Sequence, residues 1–278
     1  MLLRLGKFAL ETERPLLMGV VNVTPDSFSD GGLYASRDAA IAHAKTLIEE
    51  GADILDIGGE STRPGAAPVS LDDERRRVLP VIEALTDCGV PVSVDTRKPA
   101  LMREALAAGA SLVNDISAAE GEGALAAIAA TNAAVCLMHK QGDPQTMQQA
   151  PQYEDVVREV RDYLAGRAAA AMAAGIARDR IVLDPGFGFG KTFDHNLALL
   201  GNLHELTALG FPVLAGLSRK AMLGKITGRE PVHRVYASVA AALFAIERGA
   251  RIVRVHDVTA TRDALLVWQT LSGRMPLL

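Results

Sequence analysis

The sequence predicts an α/β protein, a (β/α)8 TIM barrel with a short N-terminal hairpin. Eight apolar runs are typical of buried strands, and segments with helical periodicity separate them. The turns from helix to strand are short, whereas several connections from strand to helix are long. Long loops at one end of the strands and tight turns at the other favour a barrel with its site at the strand carboxyl ends. An open doubly wound sheet is the alternative, and the strand count favours the barrel.

The elements follow one another in a regular order. Residues 1–15 alternate weakly between apolar and charged side chains, which predicts a hairpin that plugs one end of the fold. The eight strands are expected at residues 16–23, 53–58, 91–95, 112–115, 134–138, 181–184, 213–216 and 252–255. No linker or low-complexity stretch divides the chain, so we expect one domain over residues 1–278.

Local signals mark the helices. Ser70 with Asp73 three residues later indicates a capping box. A stripe at i, i+4 spacing predicts the buried face of one helix and comprises Val156, Val160, Leu164, Ala168 and Met172. Glycines that end helices in the left-handed conformation are expected at Gly51, Gly89, Gly109, Gly175, Gly210 and Gly249.

The segment DPGFGFGKT, residues 184–192, follows the apolar run at 181–183 and is the most distinctive stretch of the chain. Its glycines, Gly186, Gly188 and Gly190, disfavour a helix and let a ligand approach the backbone. A nucleotide P-loop is one interpretation, but that motif needs a glycine where this chain has Pro185. A ligand loop at a strand end is the favoured interpretation.

Composition excludes several classes of protein. The formal net charge is −4 over 278 residues, and no basic block or basic amphipathic face indicates nucleic acid or a membrane surface. No segment approaches the roughly 20 apolar residues of a membrane span, and charges at Arg4 and Lys7 make a poor signal peptide. Cys88 and Cys136 lack metal-ligand spacing, which predicts two reduced thiols in a cytoplasmic protein.

Polar side chains stand at the carboxyl end of every predicted strand. One aspartate at such a position is more often a helix cap, but a whole ring of polar groups indicates a binding site, because buried charge is costly. These residues are Asn22, Asp56, Asp95, Asn114, His139, Asp184, Ser218, Arg219, Lys220, Arg254 and His256.

Two subsets follow from their chemistry. The first suits a flat heterocycle with N–H donors and a carbonyl, and comprises Asp95, Asn114, Asp184 and Lys220. The second suits a phosphate group with Mg²⁺, and comprises Asn22, Arg63, Arg254 and His256. The loops at 22–32 and 58–66 mix Gly and Pro with reactive side chains and predict mobile lids, with Phe28 as a ligand contact.

Eight segments in order carry a family resemblance: MGVVNVTPDSFSDGG, DIGGESTRPGA, SVDTRKP, NDIS, LMHKQG, DPGFGFGK, GLSRK and RVHDV. Over nearly its whole length the chain resembles the dihydropteroate synthases of bacterial folate synthesis. The resemblance implies a barrel enzyme that joins 4-aminobenzoate to 6-hydroxymethyl-7,8-dihydropterin diphosphate and releases diphosphate with Mg²⁺. It also implies a cytoplasmic homodimer, formed through outer helices near the C-terminal end, that sulfonamides inhibit.

The resemblance assigns residue roles. It implies a pterin site at Asp95, Asn114, Ile116, Met138, Asp184, Phe189 and Lys220. It implies a diphosphate site at Asn22, Thr62, Arg63, Arg254 and His256, with Asn22 as the metal ligand. It implies an aminobenzoate site at Phe28, Thr62, Arg63, Pro64, Phe189, Ser218, Arg219 and Lys220, with Asp26 and Asp30 on the first mobile loop. The implied catalytic residues are Asp95, Asp184, Lys220, Arg254 and His256.

Two positions depart from the family pattern. Ala221 stands where the family often has a serine, which predicts less side-chain help for the aminobenzoate carboxylate and no lost function. Lys140 interrupts an LMHMQG-like segment.

We expect substitution at the pterin methylene carbon, with diphosphate leaving first and a concerted displacement as the alternative. A methyltetrahydrofolate-dependent methyltransferase and a catalytically silent pterin-binding paralogue are the rival functions.

Overall fold

The fold is an eight-stranded parallel barrel closed at one end by a hairpin. A computed structural model describes residues 1–23, 32–61, 65–143 and 146–273. The hairpin pairs β1 (Leu2–Leu5) with β2 (Phe8–Glu11). The barrel strands are β3 (Leu16–Asn22), β4 (Ile54–Gly58), β5 (Val92–Asp95), β6 (Leu112–Asp115), β7 (Ala134–Met138), β8 (Ile181–Asp184), β9 (Leu214–Ala215) and β10 (Ile252–Val255). Each agrees with its predicted strand to within one residue at either end.

The sheet closes on itself, which confirms the barrel over the open sheet. The strands are ordered β8-β7-β6-β5-β4-β3-β10-β9, and every pair is parallel. A single parallel bridge between Leu183 and Val213 joins the two outermost strands, and the Leu183 N–H donates to the Pro212 carbonyl at 3.0 Å. The carboxyl ends of all eight strands therefore surround one mouth.

Helices follow the strands on the outside of the barrel. They are α1 (Gly32–Glu49), α2 (Leu71–Leu85), α3 (Pro99–Ala107), α4 (Ala124–Ala129), α5 (Val156–Ala173), α6 (Phe193–Gly201), α7 (His204–Thr207), α8 (Ala221–Thr227), α9 (Val235–Glu247) and α10 (Val258–Leu271). The six predicted helix-ending glycines all have φ between +75° and +110°, as expected for left-handed turns. Within the described ranges, no helix is long and apolar enough to cross a bilayer.

The hairpin plugs the amino-terminal end of the barrel, as predicted. Leu3 and Leu5 are fully buried in a cluster with Leu16, Ile54 and Ile252 at the starts of three strands. Burying two leucines there closes the interior at the end opposite to the polar mouth.

Helix α5 corrects one prediction. Its buried face includes Val156 and Ala168 but then passes through Ala171, while the side chain of Met172 is 39% exposed. Sixteen residues at about 100° each place Met172 about 160° around the helix from Val156, so a strict i, i+4 stripe drifts off the core. The cap of α2 is confirmed only in part. The Asp73 N–H donates to Ser70 Oγ at 3.1 Å, but the Asp73 carboxylate accepts from the Ser70 hydroxyl at 2.6 Å instead of completing the box at the Ser70 N–H.

Candidate functional site

Four polar side chains bond to one another at the barrel mouth. Arg254, at the end of β10, donates from Nε to Asp56 Oδ2 at 2.6 Å and from Nη2 to Asp95 Oδ2 at 2.9 Å. Asn114 on β6 donates from Nδ2 to the same Asp56 oxygen at 3.0 Å. One guanidinium thus spans the mouth from β10 to β4 and β5. Arg254 therefore joins the two subsets that the sequence suggested.

Asp56 is the residue to which sequence reasoning gave no role. It is fully buried in the middle of the apolar strand ILDIG and holds both Arg254 and Asn114. A carboxylate inside such a strand needs partners that repay its desolvation. Its position in an otherwise apolar run was the signal that could have identified it as the fixed point of the site.

Burial shifts the pKa values of these groups. Burial and the neighbouring Asp56 raise the pKa of Asp95 to about 7, although Arg254 opposes the shift. Burial also raises the pKa of Asp184 and lowers that of Lys220 to about 8. Burial opposes the charge of Arg254, but Asp56 and Asp95 outweigh it and raise its pKa. Titratable groups with opposite shifts in one cleft indicate a functional site.

The glycine loop at 185–190 presents Asp184 and Phe189 to the mouth. Asp184 Oδ1 accepts from the Gly186 N–H at 2.7 Å, and the Lys220 ammonium lies 4.2 Å from the centre of the Phe189 ring. All three glycines have positive φ, and a β-carbon at Gly186 would lie 1.9 Å from the His139 carbonyl oxygen. The loop follows β8 at the strand end, as predicted. That it binds a ligand stays a prediction.

Helix α6 starts with a cap that the sequence analysis missed. The Thr192 hydroxyl accepts from the His195 N–H at 3.1 Å, and His195 Nδ1 accepts from the Thr192 N–H at 3.2 Å. This reciprocal pair fixes the start of α6 directly after the glycine loop. Histidine at the third helical position carries no standard capping-box signal, which is why the pattern was not recognised.

Other residues that were predicted for the site stand near the four bonded side chains of the barrel mouth. Ile116 and Met138 are buried, and Asn22 is exposed at the end of β3. His256 Nδ1 lies 3.0 Å from Ser218 Oγ, and Arg219 binds Asp257 through two bonds of 2.6 and 3.1 Å.

Several other predicted residues lie outside the described ranges. They are Phe28, Thr62, Arg63 and Pro64, with Asp26 and Asp30 of the first loop.

The two departures from the family pattern lie at the edge of the site. Ala221 is exposed at the first residue of α8, and Lys140 donates from Nζ to the Gly142 carbonyl at 3.2 Å. Lys140 thus stabilises its own loop, and the backbone at Ala221 is the start of a helix.

A network of charges supports the exit of β4. Lys98 Nζ contacts Glu60 Oε2 and Glu74 Oε2, and Arg97 donates to Glu60 Oε1 at 3.0 Å. Glu74 is almost completely buried, so these pairs are shielded from solvent. The network fixes Glu60 close to the chain that follows Asp95. In the part of the chain that the structure describes, no group of three or more His, Cys, Asp or Glu side chains could hold a metal.

Comparison with known proteins gives consistent matches. A family described as "Pterin binding enzyme" matches residues 18–256. A dihydropteroate synthase of Neisseria meningitidis serogroup B is 54% identical over 273 residues, which cover 96% of each chain. A Xanthomonas albilineans dihydropteroate synthase solved with 4-aminobenzoic acid is 54% identical, with a TM-score of 0.90 and 96% coverage of each chain. A Burkholderia cenocepacia dihydropteroate synthase complexed with 7,8-dihydropteroate is 53% identical, with a TM-score of 0.90, covering 98% of this chain and 97% of that one.

The matched residues include every described side chain of the mouth, from Asn22 to His256. An identity of 54% over 96% of each chain indicates membership of the same family as well as the same fold. The chain therefore belongs to the pterin-binding enzyme family and, within it, to the dihydropteroate synthases.

Proposed function

We infer that this chain is a transferase that condenses 6-hydroxymethyl-7,8-dihydropterin diphosphate with 4-aminobenzoate to give 7,8-dihydropteroate and diphosphate. The observation that carries the proposal is Arg254 held between Asp56 and Asp95 at the barrel mouth, with Asp184 at the end of β8 and Lys220 at the start of α8. A cation beside buried acceptors can hold a polar ring and its anionic leaving group in one site. The Burkholderia relative was solved with the expected product.

The pterin ring binds at the floor of the mouth. Asp95 and Asp184 accept from its N–H groups, while Asn114 offers an amide and Lys220 a cation for the ring carbonyl. Ile116, Met138 and Phe189 line the slot. Asn114 and Asp184 are buried, so a ring that contacts them is shielded from water. Each polar group on the edge of the ring then needs a hydrogen-bond partner from the protein.

Diphosphate binds at the rim, where Arg254 and His256 are joined by Asn22, Thr62 and Arg63. Arg254 bonds Asp95 of the pterin floor at 2.9 Å, and a planar guanidinium suits phosphate oxygens. Mg²⁺ suits this end of the site, because it prefers oxygen ligands and commonly binds through substrate phosphates and few side chains. Asn22, exposed at the end of β3, would be its protein ligand, and the bound ion would neutralise charge on the diphosphate.

Aminobenzoate lies above the pterin. Its contacts are Phe28, Thr62, Arg63, Pro64, Phe189, Ser218, Arg219 and Lys220. The cation of Lys220 over the Phe189 ring supports this position, since it places charge beside an aromatic face.

The chemistry is substitution at the pterin methylene. The carbon–oxygen bond to diphosphate breaks and its electron pair leaves with diphosphate, while Asp95 and Asp184 stabilise positive charge on the pterin. The neutral aniline nitrogen then forms the new carbon–nitrogen bond and releases its proton to solvent. Because an aniline is already nucleophilic, positioning and electrostatics supply most of the catalysis, with Lys220, Arg254 and His256 holding the two ends.

Turnover with defined substrates tests this function. The chain with Mg²⁺, the pterin diphosphate and 4-aminobenzoate should release diphosphate and yield dihydropteroate, identified by mass spectrometry. Omitting either substrate should abolish the product. Methyl transfer from methyltetrahydrofolate would instead identify the methyltransferase, and pterin binding without any product would identify the silent paralogue.

Pterin binding should weaken in acid. The pKa of Asp95 is raised to about 7, so this carboxyl gains a proton as the pH falls through 7 and ceases to be an acceptor-only group. Between pH 8 and 6 its ionised fraction falls about tenfold, and the affinity for 6-hydroxymethylpterin should fall by about the same factor. Calorimetric titration measures this, and equal affinity at both pH values would show that Arg254 keeps Asp95 ionised throughout.

The substrates should bind in order. If diphosphate and Mg²⁺ organise the loops that contain Phe28 and Arg63, 4-aminobenzoate should bind at least about tenfold more tightly in their presence, a coupling of ordinary size. Titration of aminobenzoate with and without pyrophosphate and Mg²⁺ measures the difference. Equal affinity in the two conditions would contradict loop ordering by diphosphate.

We also propose a cytoplasmic homodimer. Large apolar side chains on the last two helices are exposed, with Tyr236 of α9 at 85% and Leu271 of α10 at 83%. Such side chains favour an interface between subunits. Sedimentation should give twice the chain mass of 29.4 kDa. The cytoplasmic location is supported by Cys88 and Cys136, which are both free thiols.

A further inference from the structure

Lys191 is a buried cation held by backbone carbonyls. It directly follows the glycine loop, and its side chain is almost completely enclosed. Nζ lies 3.0, 3.1 and 3.3 Å from the carbonyls of Gly186, Phe189 and His139 and 2.9 Å from His139 Nδ1, so its three hydrogens are shared among four acceptors. Backbone carbonyls are therefore its direct partners, and the nearby Asp184 contributes a favourable charge.

Two tyrosines, Tyr153 and Tyr163, contact the glycine loop and the His139 ring beside Lys191. Tyr153 donates its hydroxyl to the Gly190 carbonyl at 2.8 Å, and the His139 ring packs edge-on against Tyr163 with ring centres 5.0 Å apart. Burial and the charge of Lys191 lower the pKa of His139 to about 3, so the ring stays neutral and Nδ1 accepts from the ammonium. Three carbonyls of the loop, at Gly186, Phe189 and Gly190, are thus held by Lys191 and Tyr153.

The loop needs this support because it has no helix or strand of its own. Gly186 and Gly190 both adopt left-handed conformations, and their backbones lie against the chain at His139 and Gln141 too closely for any side chain. Burial lowers the pKa of Lys191 to about 7, with Asp184 opposing the shift and Lys220 adding to it. The bonds from Nζ to the carbonyls of Gly186 and Phe189 offset this desolvation.

We propose that Lys191, His139 and Tyr153 form a carbonyl clamp that positions Asp184 and Phe189 for the pterin ring. The clamp residues act through the loop: Lys191 fixes the Gly186 and Phe189 carbonyls, so the Gly186 N–H stays on Asp184 and the Phe189 ring stays beside Lys220. This inference rests on the proposed function and adds positioning residues to it.

The test compares two ligands on one variant. Lys191→Met keeps the length of the side chain and removes the donors; Lys45→Met, on the exposed face of α1, is the matched control. Binding of 6-hydroxymethylpterin and of pyrophosphate with Mg²⁺ is measured by calorimetry. Lys191→Met should weaken the pterin at least fivefold and leave pyrophosphate within twofold, whereas Lys45→Met should change neither. Pterin weakened less than fivefold, or both ligands weakened equally, would overturn the clamp.

A second variant keeps the test decisive if Lys191→Met fails to fold. Tyr153→Phe removes one hydroxyl from a half-buried ring and frees only the Gly190 carbonyl. It should weaken pterin binding at least twofold with pyrophosphate binding unchanged, and unchanged pterin binding would overturn the clamp. Turnover by the wild-type chain is measured alongside, so a failure of the clamp is distinguishable from a failure of the proposed function.

Discussion

Arg254→Ala should reduce kcat/KM by about 100-fold to 1,000-fold, the loss seen when one preorganised charge donor is removed. The guanidinium holds Asp56 and Asp95 at 2.6 and 2.9 Å and is the proposed grip on diphosphate. Its removal leaves the fully buried Asp56 carboxylate with Asn114 as its remaining bonded side chain. We therefore also expect the free energy of unfolding to fall by about 3 kcal/mol, as when a buried ion pair is broken.

Arg254→Lys separates charge from geometry. A lysine restores the positive charge, but one ammonium on a flexible stem cannot reproduce the two directed bonds of the planar guanidinium. Steady-state kinetics and urea unfolding of both variants should show partial recovery with lysine. Full recovery of kcat/KM by Arg254→Lys would show that charge alone matters, and unchanged stability of Arg254→Ala would contradict the structural role of the Asp56 pair.

Gly186→Ala should disrupt the pterin side of the site and destabilise the fold. The added β-carbon would lie 1.9 Å from the His139 carbonyl oxygen, and neither atom belongs to a side chain that can rotate away. The left-handed backbone costs an alanine about 1–2 kcal/mol, and the forced displacement adds about 1–3 kcal/mol. Because the Gly186 N–H also donates to Asp184, the affinity for 6-hydroxymethylpterin should fall in the same variant.

Gly228→Ala is the matched control for the clash. Gly228 has φ +68°, close to the +66° of Gly186, but no atom lies within 4 Å of its added β-carbon. Urea unfolding should show a loss of about 1–2 kcal/mol for Gly228→Ala, from backbone strain alone. An equal loss in the two variants would show that the packing of Gly186 against His139 contributes nothing.

The sequence predicted most of the framework because its signals are local. Each strand is a short apolar run, and each helix-ending glycine supplies a conformation that other residues adopt with strain. The plug formed by Leu3 and Leu5 followed from alternation in the first 15 residues. Met172 was placed wrongly, because a stripe spaced strictly by four residues departs from the true helical period.

The contacts between strand ends could not be predicted, because they depend on distances across the barrel. Arg254 and Asp56 are 198 residues apart in sequence, yet their 2.6 Å bond is the shortest of the three that link Arg254, Asp56, Asp95 and Asn114. Lys191 resembled the lysine of a phosphate loop, but its donors bind three carbonyls of its own surroundings. Nothing in a linear pattern distinguishes a lysine that binds a ligand from one that holds a loop.

A crystal structure of the chain with 6-hydroxymethylpterin, pyrophosphate and Mg²⁺ tests the proposed site most directly. We expect the N–H edge of the ring within hydrogen-bonding distance of Asp95 and Asp184, with the Asn114 amide beside it. Pyrophosphate should lie against Arg254 and His256, on the rim side of the ring. A ring bound away from Asp184, or pyrophosphate bound without contact to Arg254, would contradict the division of the barrel mouth into a pterin floor and a diphosphate rim.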